Sequence, residues 1–330
     1  AEAPTAALDR LAQEGPGACP RLPTGIDELD RRIGGLPLGH LTMIGGRTRH
    51  GKTAMARCLL DNLGAAGVPG LYCSLEDSTV DLAQWLLLRH AGRAYAATRP
   101  GSLPWDAMDR ILAWRQTTGD LVELARAREI IAARPYWFCE EPGLTVQQIC
   151  QRVRQAVARH GVRVAFVDYL HLIELDGATE MRHELAAVVR ALVRLAKSLN
   201  IAVVLLSQLN RESERERRAP TLSDFRECGG IEEACALALL VYQPWKFKQD
   251  QSKRRQVRLM EIIVAKSKFS DTGAANCYFE GCLGDVRDPP EPDYFDEGNL
   301  GQPLYCAPAR RPAQQHDLYD RRTGEREERG

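Results

Sequence analysis

Apolar runs of strand length alternate with amphipathic stretches through most of the chain. The apolar runs predict eight strands, at His40–Gly45, Gly70–Leu75, Tyr136–Cys139, Arg163–Leu170, Ile201–Ser207, Leu237–Tyr242, Val257–Ala265 and Ala274–Phe279. Apolar residues at helical spacing predict four helices, at Thr53–Leu63, Leu82–His90, Val146–Arg159 and Glu184–Leu199. Strands that are apolar throughout are buried on both faces, so the pattern predicts an α/β fold with a mainly parallel twisted sheet flanked by helices. The last two strands follow one another closely and predict an antiparallel hairpin at the sheet edge.

Both ends of the chain differ in composition from this central region. Residues 1–22 are rich in Ala, Pro and Gly, and we expect a linker or a short packing helix there. From residue 285 to residue 330 the sequence is dominated by Pro, Asp, Glu and Arg, which predicts a disordered tail. The sequence therefore predicts three parts: 1–22, one domain over 23–284, and 285–330.

A glycine-rich motif joins the first predicted strand to the first predicted helix. It reads Gly46-Arg47-Thr48-Arg49-His50-Gly51-Lys52-Thr53 and fits the phosphate-loop pattern GxxxxGK[ST] in the context that the pattern requires. Glycine lets backbone N–H groups turn towards phosphate oxygens, and the helix N-terminus adds the positive end of its dipole. Lys52 would reach the β- and γ-phosphates, and the hydroxyl of Thr53 would ligate Mg²⁺.

Three other predicted strands end in polar residues that a parallel sheet brings to one edge. Asp168 ends the apolar run Val164–Asp168, so it is predicted to hold Mg²⁺ through water. Glu76 follows the second strand and is either the general base that activates the attacking water or a solvated residue at a strand end. Gln208 follows another strand and either senses the γ-phosphate or opens a surface loop.

Composition narrows the class of partner. The chain has 44 Lys and Arg residues and 44 Asp and Glu residues, so its formal net charge is zero. This excludes a DNA-packing protein with a positive charge over its whole surface, but it allows local contacts to nucleic acid. Only seven of the basic residues are lysines. The position of a lysine is therefore better evidence for a functional contact than the position of one of the many arginines. The ten cysteines form no CxxC pair, which favours reduced thiols over a zinc site. Without a signal peptide or an apolar run long enough to cross a bilayer, we expect a cytoplasmic protein with no membrane partner.

Five segments, in order, resemble DnaB-type replicative helicases. They are 22–30 (LPTGIDELD), 74–76 (SLE), 167–172 (VDYLHL), 207–211 (SQLNR) and 222–233 (LSDFRECGGIEE). The order and spacing are similar to the RecA-like C-terminal ATPase domain of that family, over about residues 20–283. The resemblance implies a RecA-like P-loop NTPase core and an ATP- and Mg²⁺-dependent 5′→3′ motor. It also implies a homohexameric ring around single-stranded DNA, with each nucleotide at a subunit interface and a loader or primase as a further partner.

The resemblance also extends to individual residues. It gives the roles described above to Lys52, Thr53, Glu76, Asp168 and Gln208. The segment 224–229 matches the family's DNA-tracking loop, which makes Arg226, Glu227 and Gly229 candidate contacts to DNA phosphates. The alternative is a surface loop in which Arg226 pairs with Glu227.

On the edge hairpin, the family places a Lys and an Arg that reach the nucleotide of the neighbouring subunit. Lys266 and Lys268 match these positions, with Lys268 in place of the arginine finger. An ammonium group neutralises γ-phosphate charge but cannot make the planar bidentate contact of a guanidinium group. We therefore expect slower hydrolysis in trans, unless Arg254 or Arg255 substitutes.

Other departures keep a second function open. Trp85 stands where family members have an arginine, and Ala234 and Ala236 stand where they have acidic residues. The family's helical N-terminal collar has no counterpart, so we expect either a truncated helicase or a collarless relative. The two functional hypotheses are a DnaB-type DNA helicase and a collarless RecA-fold ATPase switch that controls assembly or a protein partner without processive unwinding. A circadian-clock type of ATPase is disfavoured because its duplicated domain does not fit into 330 residues.

Overall fold

The computed structural model describes residues 20–98, 109–111, 117–175, 177, 180–210, 216, 218–228, 234–247 and 258–289. For residues 96, 226–228, 245, 247 and 258 it describes the backbone alone. Most of the predicted N-terminal linker and C-terminal tail, residues 1–19 and 290–330, therefore lies outside the described residues.

Each of the eight strands and four helices predicted for the central region has a counterpart in the fold. The strands are β1 (Arg21–Leu22), β2 (Leu36–Pro37), β3 (Leu41–Gly46), β4 (Gly70–Ser74), β5 (Tyr136–Glu140), β6 (Val164–Asp168), β7 (Ala202–Gln208), β8 (Leu237–Tyr242), β9 (Arg258–Ser267), β10 (Gly273–Glu280) and β11 (Asp285–Arg287). The α-helices are α1 (Asp27–Ile33), α2 (Lys52–Ala65), α3 (Thr79–Thr98), α4 (Thr118–Ala132), α5 (Val146–His160) and α6 (Met181–Leu199). Short 3₁₀ helices cover Leu170–Leu172, Leu222–Cys228 and Pro244–Phe247.

Strands β3 to β11 form one sheet in the order β11-β10-β9-β8-β3-β7-β6-β4-β5. The strands from β8 to β5 are parallel to their neighbours, and β9, β10 and β11 continue the sheet in antiparallel order. The prediction of a mainly parallel sheet with an antiparallel hairpin is confirmed. The hairpin of β9 and β10 lies one strand inside the edge, because β11 pairs with β10.

Each face of the sheet has its own hydrophobic core. Helices α1, α2 and α3 cover one face around buried residues such as Leu59 and Phe166. Helices α5 and α6 cover the other face around residues such as Val153 and Leu192. Strand β3 lies between the two layers and is buried at every position, which explains why its sequence shows no polar alternation.

The folded domain extends beyond the predicted limits of 23–284 at both ends. Strand β1 pairs with β2 and brings Arg21 and Leu22 into the fold. At the other end, β11 covers the first three residues of the predicted tail, and Asp285 is fully buried. The prediction that the tail begins at residue 285 was wrong, because Asp285 pairs with Arg89 and Arg93 instead of meeting solvent.

Two helices were not predicted from the apolar pattern. Helix α1 is short, and only Leu29 and Ile33 are buried on it. Helix α4 buries the acidic residues Asp120 and Glu123 and exposes apolar residues such as Leu121. Its apolar residues therefore do not lie on the side that packs against the domain, and the apolar pattern does not predict the helix. None of the helices that the structure describes is long and apolar enough to cross a bilayer.

Candidate functional site

A cavity of about 260 Å³ opens at the carboxyl ends of β3, β4, β6 and β7. Its walls are formed by Gly46, Arg47, Thr48, Arg49, Gly51, Lys52, Thr53, Ala54, Glu76, Tyr169 and Gln208. The structure therefore brings Glu76 and Gln208 to the glycine-rich loop, as a parallel sheet requires. Within the loop, His50 is buried and does not line the cavity.

The loop has the backbone conformation that its glycines allow. Gly51 has φ +92°, and a Cβ atom there would lie 2.6 Å from Cε of Met260. At Gly46 a Cβ atom would lie 2.9 Å from Cβ of Lys52. Helix α2 begins at Lys52, within the motif, so its free N–H groups and positive dipole end face the cavity. This arrangement is suited to binding phosphate.

Asp168 is fully buried, and both of its carboxylate oxygens are engaged. Lys52 donates a hydrogen bond from Nζ to Oδ1 over 3.1 Å, and Tyr72 donates from its hydroxyl to Oδ2 over 2.7 Å. The same ammonium group lies 4.3 Å from the ring centroid of Tyr169. The sequence pattern singled out Lys52 and Asp168 but neither tyrosine, because an aromatic residue on a buried strand is typical of a core position.

Glu76 is exposed at the wall of the cavity two residues after β4. Partial burial raises the pKa of its carboxyl above the ordinary glutamate value, and the negative charges of Asp168 and Asp77 raise it further. Lys52 and Arg57 act in the opposite direction. A carboxylate with a raised pKa beside a phosphate-binding loop has the chemistry of a general base.

Gln208 lies at the end of β7 and contacts the phosphate loop directly. Its Nε2 donates a hydrogen bond to Oγ1 of Thr48 over 2.8 Å. The side chain is exposed and lines the cavity. The contact couples the end of β7 to the loop, which a surface amide opening an unrelated loop would not do.

The outer side of the phosphate loop is held by residues that sequence reasoning missed. Gln243 is fully buried and donates from Nε2 to the carbonyl of His50 over 2.7 Å. Lys246 donates from Nζ to the carbonyl of Arg49. Because a trans peptide is planar, a His50 carbonyl held on the outside turns the N–H of Gly51 towards the cavity.

The donor set fits a nucleotide with a hard divalent cation. Thr53, Asp168 and Glu76 supply only hydroxyl and carboxylate oxygens, which are the ligands that Mg²⁺ prefers. Within the described ranges, no group of three or more His, Cys, Asp or Glu residues could hold a metal by itself. Mg²⁺ is commonly bound by one or two protein oxygens together with substrate phosphates.

Lys266 and Lys268 lie at the end of the strands opposite to the end where the cavity opens. Lys266 pairs with Ala238 near the start of β8, and Lys268 donates its backbone N–H to the carbonyl of Ala236 over 2.9 Å. The phosphate loop instead follows Gly46, which pairs with Val241 near the end of β8. Ala238 and Val241 are about 10 Å apart along β8. Neither lysine lines the cavity of its own chain.

The remaining predicted residues fall partly outside the described residues. Gly229 lies outside them, as do the side chains of Arg226 and Glu227. Arg254 and Arg255 also lie outside them. Trp85 is described, and the guanidinium groups of Arg57 and Arg89 lie 5.6 Å and 5.7 Å from its ring centroid.

Comparison with known proteins gives a family match over most of the chain. The sequence profile described as the DnaB-like helicase C terminal domain matches residues 21–287. The replicative DNA helicase DnaB of Leifsonia xyli subsp. xyli is 30% identical over 295 residues, which cover 87% of this chain and 60% of that protein. Across six such relatives, the chain spans 53% to 61% of the length of the protein it matches.

Solved structures share the fold. A DnaB-like replicative helicase, described with its interactions with primase, superimposes with a TM-score of 0.76 at 23% identity, over 87% of this chain and 68% of that one. A KaiC-like protein from the archaeon Pyrococcus horikoshii superimposes with a TM-score of 0.51 at 14% identity, over 82% of this chain and 98% of that one. At these identities, the likeness shows a RecA-like fold and nothing about activity.

Proposed function

The chain belongs to the DnaB-like helicase C-terminal domain family, and from this premise we propose that it is the ATP-hydrolysing motor of a DNA helicase. The observation that carries the proposal is that Lys52 and Glu76 line one cavity, while Lys52 also holds the buried carboxylate of Asp168. A phosphate-binding lysine, a buried carboxylate and an exposed carboxylate with a raised pKa are the groups that phosphoryl transfer to water needs.

The chain's own residues divide the work of hydrolysis. Lys52 exchanges its hydrogen bond with Asp168 for one to a β- or γ-phosphate oxygen when ATP binds. Glu76 orients the attacking water and accepts its proton, and Gln208 relays loss of the γ-phosphate to the loop through Thr48. Bound Mg²⁺ would neutralise phosphate charge, held by Thr53 and through water by Asp168.

We propose that each subunit also acts on the nucleotide of a neighbouring subunit. Lys266 and Lys268 lie at the end of the strands opposite the cavity and do not line it, which supports a role at the nucleotide of another copy. This geometry supports a ring, which we propose to be a hexamer with nucleotide between subunits. We further propose that single-stranded DNA binds through Arg226, Glu227 and Gly229, and that a primase or a loader is a protein partner.

A second candidate function rests on Lys268. Because an ammonium group gives the neighbouring γ-phosphate only a point charge, the chain would hydrolyse ATP slowly between subunits. In that case it would act as an ATP-dependent switch that controls assembly without processive unwinding.

The two functions separate in one set of assays. Purified chain is given ATP and a forked DNA duplex, and strand separation is followed together with ATP hydrolysis in the presence and absence of oligo-dT. The motor function predicts unwinding and DNA-stimulated hydrolysis, both abolished by Lys52→Ala. The surface variant Arg128→Gln serves as the control, since Arg128 is exposed on α4 away from the cavity. Hydrolysis without unwinding would favour the switch, and hydrolysis that no DNA stimulates would contradict the motor.

A further inference from the structure

The outer surface of α5 and α6, together with the connection that follows α5, carries a group of exposed cations, here called the α5–α6 cationic face. Its members are Arg154, Arg159, Arg163, Arg190, Arg194 and Lys197. In the part of the chain that the structure describes, none of the six forms an ion pair or a hydrogen bond through its side chain. With respect to the described residues, the face therefore presents six positive charges without an ion-pair partner, on a chain whose formal net charge is zero.

Arginines on the opposite helical layer are arranged differently. Arg57 on α2 pairs with Asp77, Arg89 on α3 pairs with Asp61, and Arg126 on α4 pairs with Glu123. Helix α5, in contrast, contains no acidic residue, and its only ion pair to a described residue is that of Arg152 with Glu141. Helices α2 and α4 thus carry acidic residues as well as arginines, whereas α5 carries arginines alone.

The cations cluster instead of spreading over the layer. Arg190, Arg194 and Lys197 follow one another at helical spacing and form one stripe along α6. Helices α5 and α6 pack against each other. Burial raises the pKa of the Cys150 thiol on α5, and the positive charges of Arg154 on α5 and Arg194 on α6 both act in the opposite direction, so both helices contribute a cation to the surroundings of this residue. Like charges at helical spacing repel each other and destabilise the helix, and an anionic ligand removes that repulsion.

The stripe has no role in the hydrophobic core. Helix α6 buries Leu185, Val188, Leu192 and Leu195 against the sheet, while Arg190 and Arg194 are exposed on its other side. Replacing these two arginines therefore changes the surface charge and leaves the packing in place.

We propose that the α5–α6 cationic face binds the phosphate backbone of a nucleic acid strand, at a site separate from the loop 224–229. Guanidinium groups bind phosphate oxygens in bidentate fashion. Helices α5 and α6 contain no Phe, Tyr or Trp on which bases could stack, so the contact is to the backbone and independent of sequence. The identity of the strand as DNA rests on the proposed motor function.

The test measures binding of labelled oligo-dT by fluorescence anisotropy at several salt concentrations, with a non-hydrolysable ATP analogue present. The variant Arg190→Gln/Arg194→Gln is compared with Arg31→Gln/Arg128→Gln, which removes the same charge from exposed positions on α1 and α4. We expect about tenfold weaker binding and a salt dependence shallower by about 1.4 in the log–log slope for the first variant only. ATP hydrolysis without DNA should stay at the wild-type rate in both.

Each other result overturns the proposal in its own way. An equal loss of oligo-dT binding in both variants would indicate a general effect of net charge. Binding at the wild-type level by Arg190→Gln/Arg194→Gln would exclude the face as a binding site. If the face binds polyglutamate but not oligo-dT, its partner is an acidic protein. If the wild-type chain itself does not bind oligo-dT, the DNA part of the proposed function fails, which separates that failure from a failure of this face.

Discussion

Tyr72 donates a hydrogen bond from its hydroxyl to Oδ2 of Asp168 over 2.7 Å, on the side of the carboxylate away from Lys52. The phenol is fully buried, and burial together with the charge of Asp168 raises its pKa well above the ordinary value, so it remains a donor at every working pH. The contact fixes the rotation of the carboxylate and directs Oδ1 towards Lys52. Asp168 is therefore oriented from β4 as well as by its own strand.

Tyr72→Phe tests this orientation. The ring stacks on Phe166 with centroids 5.8 Å apart, so the variant keeps its packing and loses only the hydroxyl. A hydrogen bond to a charged group contributes about 1.5–3 kcal/mol. We expect a free energy of unfolding lower by about that amount and a several-fold higher Mg²⁺ concentration for half-maximal ATP hydrolysis.

The matched control for the hydroxyl deletion is Tyr278→Phe. Tyr278 is also fully buried, but it lies on β10 and does not line the cavity. Its variant should keep the wild-type Mg²⁺ dependence. The same Mg²⁺ dependence in Tyr72→Phe would show that the Tyr72 hydroxyl is structural and does not position Asp168.

Gln243→Leu tests whether the outer brace shapes the phosphate loop. Without Nε2, the carbonyl of His50 loses its partner and the N–H of Gly51 is no longer held towards the cavity. Loss of a hydrogen bond that contributes about 1–1.5 kcal/mol corresponds to roughly tenfold weaker binding of the nucleotide. We expect that loss in the affinity for a fluorescent ATP analogue, and a larger one in Gln243→Glu, which sets a carboxylate against the carbonyl. A lower melting temperature with unchanged nucleotide affinity would reduce Gln243 to a structural role.

The sequence could predict the parts of the site that leave a local signal. Glycines and a lysine at fixed spacing mark the phosphate loop, and an apolar strand that ends in Asp168 marks its carboxylate. The contacts of Tyr72 and Gln243 could not be predicted in this way, because their partners lie 96 and 193 positions away. Only the folded sheet brings these pairs together.

The same reason explains the error at residue 285. A run beginning with Asp285 and followed by prolines has the composition of a solvated tail. Burial of its carboxylate is possible only because Arg89 and Arg93 reach it from α3, at positions 192 or more residues earlier. Composition reports an average environment, whereas burial of a charge depends on one specific partner.

Glu76→Gln tests the general base. The amide keeps the shape of the side chain but cannot accept a proton, so the hydrolysis rate should fall by about 10²–10⁴-fold while nucleotide still binds. In the wild-type chain, a raised pKa means that the base is protonated at a higher pH than an ordinary glutamate. The acid limb of the rate profile should therefore lie above the ordinary glutamate value.

Asp77→Asn supplies the control for that acid limb. It removes one of the two negative charges that raise the pKa of Glu76, so the limb should move to lower pH. If the acid limb stays at the same pH in both Glu76→Gln and Asp77→Asn, it reports the titration of a group other than Glu76.

Lys268→Arg tests hydrolysis between subunits. A guanidinium group adds the bidentate contact that an ammonium group cannot make, so DNA-stimulated hydrolysis should rise several-fold. Lys268→Ala should lower it, and Arg128→Lys, the reverse exchange of cations on the exposed surface of α4, should leave it unchanged. If neither change at position 268 alters the rate, Lys268 takes no part in the neighbouring site.

His90 on α3 makes stability depend on pH. Burial lowers its pKa to about 4, and the positive charges of Arg89, Arg93 and Arg134 act in the same direction. Asp61 lies 3.0 Å from Nε2 but is already paired with Arg89. In the unfolded chain a histidine binds its proton near pH 6.5, so between these two values the unfolded state binds more protons than the folded one. Stability should therefore be complete above about pH 6.5 and fall by up to about 3 kcal/mol as the pH approaches 4.

The measurement for His90 is urea unfolding at a series of pH values. His90→Gln keeps a donor towards Asp61 and removes the titration, so the variant should lose less stability than the wild-type chain between about pH 6.5 and pH 4. Taking the difference between the two chains cancels the carboxylates that titrate in both, Asp285 among them. Parallel curves would mean that His90 is protonated equally in the folded and unfolded states, which its burial beside three guanidinium groups argues against.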